Sequence, residues 1–167
     1  MRMLVLAALL SVGCSWEKRI KKLSDTEYDH YHALRVFMNE EQQKAYLKTK
    51  VEEDRNAMLK SMGLWDKFYG LEPARRQAII DGQVAVGWKA EEVLMSWGTP
   101  FDTRNMPGRQ AERSKMWVFR FEEQPDGSVL VWEKGSKTEY TAVRFFQREV
   151  ILDNDVVAEI KAKNQKW

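Results

Sequence analysis

Cys14 is the residue whose position in the sequence points most directly to chemistry, and it is the only cysteine among 167 residues. A single thiol cannot form an intramolecular disulfide. Cys14 follows an apolar run, residues 4–10, and then Ser11-Val12-Gly13, and it precedes a polar and charged stretch. An unpaired thiol is a liability in an oxidising compartment, whereas attachment of a lipid gives it a use.

The segment before Cys14 predicts export and lipidation. Arg2 precedes an apolar run that is shorter than the about 20 residues needed to span a bilayer, as in a signal peptide. The small residues before the cysteine resemble the lipobox cut by lipoprotein signal peptidase, although Ser11 stands where leucine is expected. We predict that residues 1–13 are removed and that a lipid on Cys14 anchors the mature chain. The alternatives are an ordinary signal peptide cut nearby and a short membrane-anchoring helix.

The composition predicts a folded domain and disfavours a nucleic acid as its main partner. Hydrophobic residues make up 44% and charged residues 31% of the chain, and the formal net charge is +2. These values are typical of globular chains, and a near-neutral balance disfavours nucleic acid. Ser15 does not look like a retention signal, so we expect a lipid-anchored protein at the outer membrane, facing the periplasm, with an envelope protein as partner.

A basic loop and a tryptophan hold the candidate contact residues. Residues 101–115 contain more basic than acidic side chains around Pro107-Gly108, and they show no helix or strand period. Long loops without secondary structure are often functional, so we expect contact with phospholipid headgroups or with an acidic partner. A solvated flexible loop is the alternative. Trp88 is either an exposed anchor at a protein interface or a core residue. The candidates are Trp88, Arg104, Arg109, Arg113 and Lys115.

The sequence shows no arrangement typical of an active site. His30 and His32, the only histidines, are two residues apart, so they point to different faces of a helix and do not form a metal-binding pair. We find no glycine pattern that binds phosphates and no local pairing of a nucleophile with a base. We therefore predict no enzymatic activity, no cofactor and no metal.

Apolar spacing and capping residues predict helices before strands. Helices are expected at 25–37, 39–63, 64–69, 72–82 and 90–97. From Met116 the period changes to two, which predicts a strand through Phe121. Further strands are expected at 128–133, at 140–152 with a bulge near Gln147 or Arg148, and at 156–161 after a tight turn at Asp153-Asn154-Asp155.

These elements predict an α+β fold, in which N-terminal helices precede a layer of two helices on an antiparallel meander sheet of three to four strands. The predicted organisation is a signal peptide at 1–13, a lipidated N-terminus with tether and helix at 14–38, a helical extension at 39–71 and an α+β domain at 72–167.

Five short motifs between residues 74 and 161 occur in an order known from one protein family. They are Ala78-Ile79-Ile80-Asp81-Gly82, Val86-Gly87-Trp88, Glu92 through Gly98-Thr99-Pro100, Met116-Trp117-Val118-Phe119, and Val150 through Val157. The order resembles the BamE (SmpA, OmlA) family of small outer-membrane lipoproteins. Lys89 and Asp155 stand where that family often has a Ser or Thr cap and a glycine. The resemblance implies a non-catalytic scaffold subunit in outer-membrane assembly or maintenance. An enzyme inhibitor or a ligand-binding module on the same fold is the alternative.

Overall fold

The computed structural model describes residues 5–7, 14–134 and 141–163. The chain divides into a helical unit, Ser11–Ile80, and a sheet unit, Met1–Leu10 with Asp81–Trp167. Within the described ranges, no helix has both the length and the hydropathy to cross a membrane. The predicted α+β class is confirmed. The helix predicted at 72–82 is observed as Pro73–Ile80 and lies in the helical unit, and Asp81 begins the second segment of the sheet unit.

The helical unit contains a series of short helices whose ends are set by capping side chains. Ser24 and Glu27 form a reciprocal capping box, as do Asn39 and Gln42, so each pair satisfies backbone N–H groups at a helix start. Gly63, with φ of +69°, allows the sharp turn between the fourth and fifth helices. The elements are α1 Cys14–Ile20, α2 Asp25–Leu34, a 3-10 turn Arg35–Phe37, α3 Glu40–Lys48, α4 Glu52–Ser61, α5 Leu64–Tyr69 and α6 Pro73–Ile80.

A buried ion pair explains why the single helix predicted at 39–63 is wrong. The helix ends at Lys48, the last residue of α3, and a new helix begins at Glu52. The guanidinium of Arg55 donates to the carbonyl oxygens of Tyr46 at 3.3 Å and Thr49 at 2.5 Å. Arg55 also donates to the Glu27 carboxylate, and the two side chains are only 9% and 6% exposed. Burial alone would raise the pKa of Glu27, but the Ser24 N–H and Arg55 outweigh it and lower the pKa. The ion pair therefore joins α2 to the end of α3 and to α4.

The sheet unit has a ten-residue strand, Ser114–Glu123, at its centre. The elements are β1 Val5–Ala7, α7 Ala90–Trp97, β2 Asp102–Asn105, β3 Ser114–Glu123, β4 Val129–Trp132, β5 Arg144–Asp153 and β6 Val156–Lys163. The order is β1-β4-β3-β5-β6, and β2 also pairs with β3. Among the strands of the described residues, only the β1–β4 pairing is parallel. A simple meander would place β4 between β3 and β5. Instead β5 pairs with one edge of β3 along the whole length of β3, while β2 and β4 pair with successive parts of its other edge.

The core lies between α7 and one face of the sheet. Trp97 meets Phe119 and Phe121 edge to face, with ring centroids 5.2 Å apart in both pairs. Its indole N–H donates to the Gly82 carbonyl at 2.8 Å, so the polar atom of this buried ring has a partner. The predicted inward positions of α7 and β3 are thereby confirmed for these three rings.

The β5–β6 hairpin has the predicted tight turn. Asn154 and Asp155 have φ values of +50° and +63°, the left-handed pair that a two-residue hairpin turn requires. The register between β5 and β6 shifts between the pairs Ile151–Glu159 and Leu152–Val157, which leaves Ala158 of β6 as the extra residue, so the bulge predicted near Gln147 or Arg148 of β5 is wrong. A bulge beside the turn increases the local twist at the end of the hairpin.

Removing Arg55 tests the role of the buried ion pair. Arg55→Ala leaves the Glu27 carboxylate buried without its cation, and breaking such a pair costs about 3–5 kcal/mol. We expect a loss of this size in the free energy of unfolding, measured by urea denaturation. Lys44→Ala is the control, because it removes a surface pair with Glu40 whose side chains are 47% and 76% exposed. Equal effects of the two variants would contradict this account.

Candidate functional site

The β5–β6 turn gathers several of the candidate contact residues predicted from the sequence. Residues 86–89, 109–114 and 153–157 are joined there by backbone and side-chain hydrogen bonds, and we call this surface the turn platform. Trp88, Arg109 and Arg113 belong to it. Arg104 and Lys115 lie outside it, on β2 and β3.

Arg109 is held by the last residue of β5. Its Nε and Nη2 atoms donate to the two carboxylate oxygens of Asp153 at 2.9 and 2.7 Å. The Ser114 hydroxyl donates to the same carboxylate at 2.6 Å. The bonds from Arg109 and then Ser114 lower the pKa of Asp153 from its ordinary 3.8 to about 2. Arg109 therefore fixes the shape of the turn platform, which differs from the free headgroup contact expected from the sequence.

Arg113 presents an exposed cation on the turn platform. Its backbone N–H donates to the Asn154 side-chain oxygen at 3.1 Å, and the Asn154 N–H donates to the Arg113 carbonyl at 2.8 Å. The guanidinium lies 3.4 Å from the Asp155 carboxylate, and the side chains are 66% and 50% exposed. Exposed pairs of this kind add little stability, so both charges remain accessible to a partner.

The segment before α7 adds an extended strand-like edge to the hairpin. The Gly87 N–H donates to the Val157 carbonyl and the Val157 N–H to the Trp88 carbonyl, both at 2.8 Å. Gly87 has φ of +86°, a conformation that glycine adopts without strain. Trp88 itself is only 5% exposed, so its ring is a core residue and not an exposed interface anchor.

The loop expected at 101–115 is a β-hairpin. Residues of β2 pair with residues 115–118 of β3, so the expectation of a structureless loop is wrong at both ends of the segment, while residues 106–113 between the two strands form neither helix nor strand. Arg104 on β2 donates to the Asp102 carboxylate at 2.8 Å, and its side chain is 61% exposed. Lys115 is partly buried, and its backbone lies between Asn105 of β2 and Leu152 of β5. The polar sequence of β2 lacks the apolar alternation that would have revealed it.

The turn platform carries two exposed valines that sequence reasoning did not identify. Val86 is 63% exposed and Val156 is 41% exposed. Val86 directly precedes the segment 87–90 that bonds to residues 155–157, and Val156 lies within the second segment, opposite Lys89. Valine side chains are usually buried, so the sequence alone does not show that these two face solvent. A surface that exposes two valines together with the charges of Arg113 and Asp155 has the composition of a protein-contact surface.

Comparison with known proteins returned no match to any family model, any curated protein or any solved structure. Within the described residues, no group of three or more His, Cys, Asp or Glu side chains is arranged to hold a metal ion.

The Asp153 carboxylate should give the protein a measurable acid dependence. Because its pKa is depressed in the folded state, it stabilises the fold above about pH 4, and this contribution is lost as pH falls toward 2. In Asp153→Asn we expect a lower melting temperature at neutral pH and a smaller further decrease between pH 4 and pH 2.

Asp155→Asn is the matched control, because asparagine also tolerates the left-handed conformation of this turn position. It should keep the wild-type acid dependence. The same acid profile in wild type and Asp153→Asn would contradict the assigned role of the Arg109–Asp153 bond.

Proposed function

We propose that this chain is a lipid-anchored, non-catalytic protein of the bacterial cell envelope that binds another protein through the turn platform. The observation that carries the proposal is the exposure of Val86 and Val156 on the turn platform, whose three segments are joined by hydrogen bonds and which also exposes Arg113. Fixed surfaces lose little conformational entropy on association, which favours binding.

The start of the helical unit supports the anchor. α1 begins at Cys14 and carries Lys18 and Arg19 in its last turn. A basic helix directly after a lipidated residue would lie within reach of anionic headgroups, which attract each nearby cation by about 1 kcal/mol. Processing at Cys14 would also remove β1, so the mature sheet would end at β4.

The arrangement of the turn platform supports a protein partner more than a lipid surface. Of its two candidate arginines, Arg109 is engaged by Asp153, and Arg113 faces Asp155. The exposed side chains of the turn platform include the two valines and charges of both signs, Lys89 and Arg113 with Glu112 and Asp155, which is a mixture found in protein interfaces. A role in outer-membrane assembly or maintenance follows from the family resemblance and belongs to the same proposal.

A ligand-binding module is the second candidate function. It is favoured by one observation, a cavity of about 280 Å³ in the helical unit that contains a buried histidine.

Charge substitution on the turn platform tests the proposed function. Val86→Glu and Val156→Glu place a carboxylate where an apolar contact is expected, and we expect at least about a tenfold loss of partner recovery, equivalent to 1.4 kcal/mol. The measurement is quantitative mass spectrometry of proteins that copurify with the tagged, lipidated chain from detergent-solubilised membranes.

Val143→Glu is the matched control, because Val143 is 64% exposed in the same unit but lies outside the turn platform, just before β5. It should recover the same partner in the wild-type amount. Equal loss in all three variants, or no loss in the two turn-platform variants, would refute binding through this surface.

A further inference from the structure

The arginines of the sheet unit differ in whether a carboxylate neutralises them. Four of them lie 3.4 Å or less from a carboxylate oxygen: Arg104, Arg109, Arg113 and Arg144. Arg148 of β5 forms no ion pair with an acidic side chain of the described residues, and its Nη1 atom donates to the carbonyl of the preceding residue, Gln147, at 3.2 Å. The described part of the chain therefore supplies no anion to balance this cation.

Arg148 shares one aromatic ring with Arg144. Residues 144, 146 and 148 alternate along β5, so their side chains lie on the same face of the sheet. The guanidinium carbons of Arg144 and Arg148 lie 4.8 and 4.7 Å from the centroid of the Phe146 ring, which is within the range of a cation–π contact. We call these three residues the arginine site.

The ring at the centre of the arginine site belongs to the packed core. Phe146 is 4% exposed, and it stacks on Phe121 with the ring centroids 4.9 Å apart and the planes 8° apart. Phe121 in turn meets Trp97 of α7 edge to face. A ring packed in this way holds the guanidinium of Arg148 in place, and a side chain that is ordered in advance loses little conformational entropy when it binds.

The strand beside Arg148 leaves its side chain accessible. Arg148 is paired in register with Phe119 of β3 on one side and with Ala162 of β6 on the other. Phe119 is fully buried, whereas Ala162 is exposed, and its methyl group is too short to cover a neighbouring arginine. The Arg148 side chain itself is only partly buried, so a partner can approach it from the side of β6.

Burial and the neighbouring charge both act against the Arg148 cation. Burial, and then the positive charge of Arg144, lowers the pKa of Arg148. Arg144 donates from Nε to the Glu123 carboxylate at 2.6 Å, so two positive charges and one negative charge leave a net charge of +1. One carboxylate would neutralise this charge, and it can accept two parallel hydrogen bonds from a guanidinium.

We propose that the arginine site binds an aspartate or glutamate side chain of another protein, with its carboxylate on the guanidinium of Arg148. An acidic protein segment fits the site better than a membrane surface does, because anionic headgroups attract clusters of cations at the surface, whereas Arg148 is a single, partly buried one. The site contains no residue of the turn platform, so it is a second contact surface beyond the function proposed above.

NMR of the arginine Nε–Hε groups in the full chain, purified in a nonionic detergent, tests the proposal. The Arg148 group lies beside the Phe146 ring, whose ring current shifts its signal, so that signal reports on the site. The probes are a capped hexapeptide of alternating alanine and glutamate, the same peptide with glutamine for glutamate, and glycerophosphoglycerol, the soluble headgroup of an anionic lipid. We expect saturable shifts of the Arg148 signal with the glutamate peptide, and binding of the other two probes that is weaker by at least about tenfold.

Variants identify the guanidinium that binds, with affinity followed through the backbone amides of β5. Arg148→Gln should weaken binding of the glutamate peptide by at least about tenfold. Arg148→Lys keeps the charge but not the planar donor fork, so it should bind more tightly than Arg148→Gln and less tightly than the wild type. Arg104→Gln is the matched control, because it removes an exposed arginine of the same unit that already has Asp102 as its partner, and it should leave the affinity unchanged.

Four outcomes would overturn the proposal. They are no saturable Arg148 shift with the glutamate peptide, equal affinity for the glutamine peptide, an unchanged affinity in Arg148→Gln, or tighter binding of glycerophosphoglycerol, which would assign the site to lipid headgroups. The comparison of the probes uses the wild-type chain, so it holds even if a variant fails to fold. Because no measurement involves Val86 or Val156, a negative result here is distinct from a failure of protein binding through the turn platform.

Discussion

The candidate site depends on the bond between Arg109 and Asp153. Asp153 is the last residue of β5, and the two parallel hydrogen bonds tie it to the segment that joins β2 to β3. The next two residues adopt left-handed conformations, and the backbone then bonds to the segment before α7. Three stretches far apart in sequence therefore meet at one turn. Val156 lies in one of the bonded segments and Val86 directly precedes another, and both valine side chains are exposed there.

The features predicted correctly from the sequence are those determined by nearby residues. α7 could be found from its inward apolar positions and the glycine that follows it, and the β5–β6 turn from Asn154 and Asp155. The break between α3 and α4 could not be found, because it depends on Arg55 meeting Glu27 from another helix. β2 was missed for a similar reason. Its polar residues form a strand only because β3 offers them an edge.

The candidate residues were partly identified, but their roles required the fold. Arg109 and Arg113 were recognised as basic residues of one segment, whereas their partners Asp153 and Asp155 lie on a hairpin about 40 residues later. His30 was excluded as a metal ligand by its spacing from His32, and nothing local shows that the fold buries its ring against α5. Burial of a polar side chain is decided by long-range packing, which a single sequence does not display.

The proposed lipid on Cys14 would determine where the turn platform acts, because it would hold the chain at a membrane surface. The most direct measurement of this central claim is mass spectrometry of the N-terminal peptide of the mature protein, isolated from membranes of a bacterium that expresses the full sequence. Our account predicts a peptide that begins at Cys14 and carries the mass of a diacylglyceryl thioether, and no such peptide from Cys14→Ser. A wild-type peptide that begins elsewhere, or an unmodified Cys14, would contradict it.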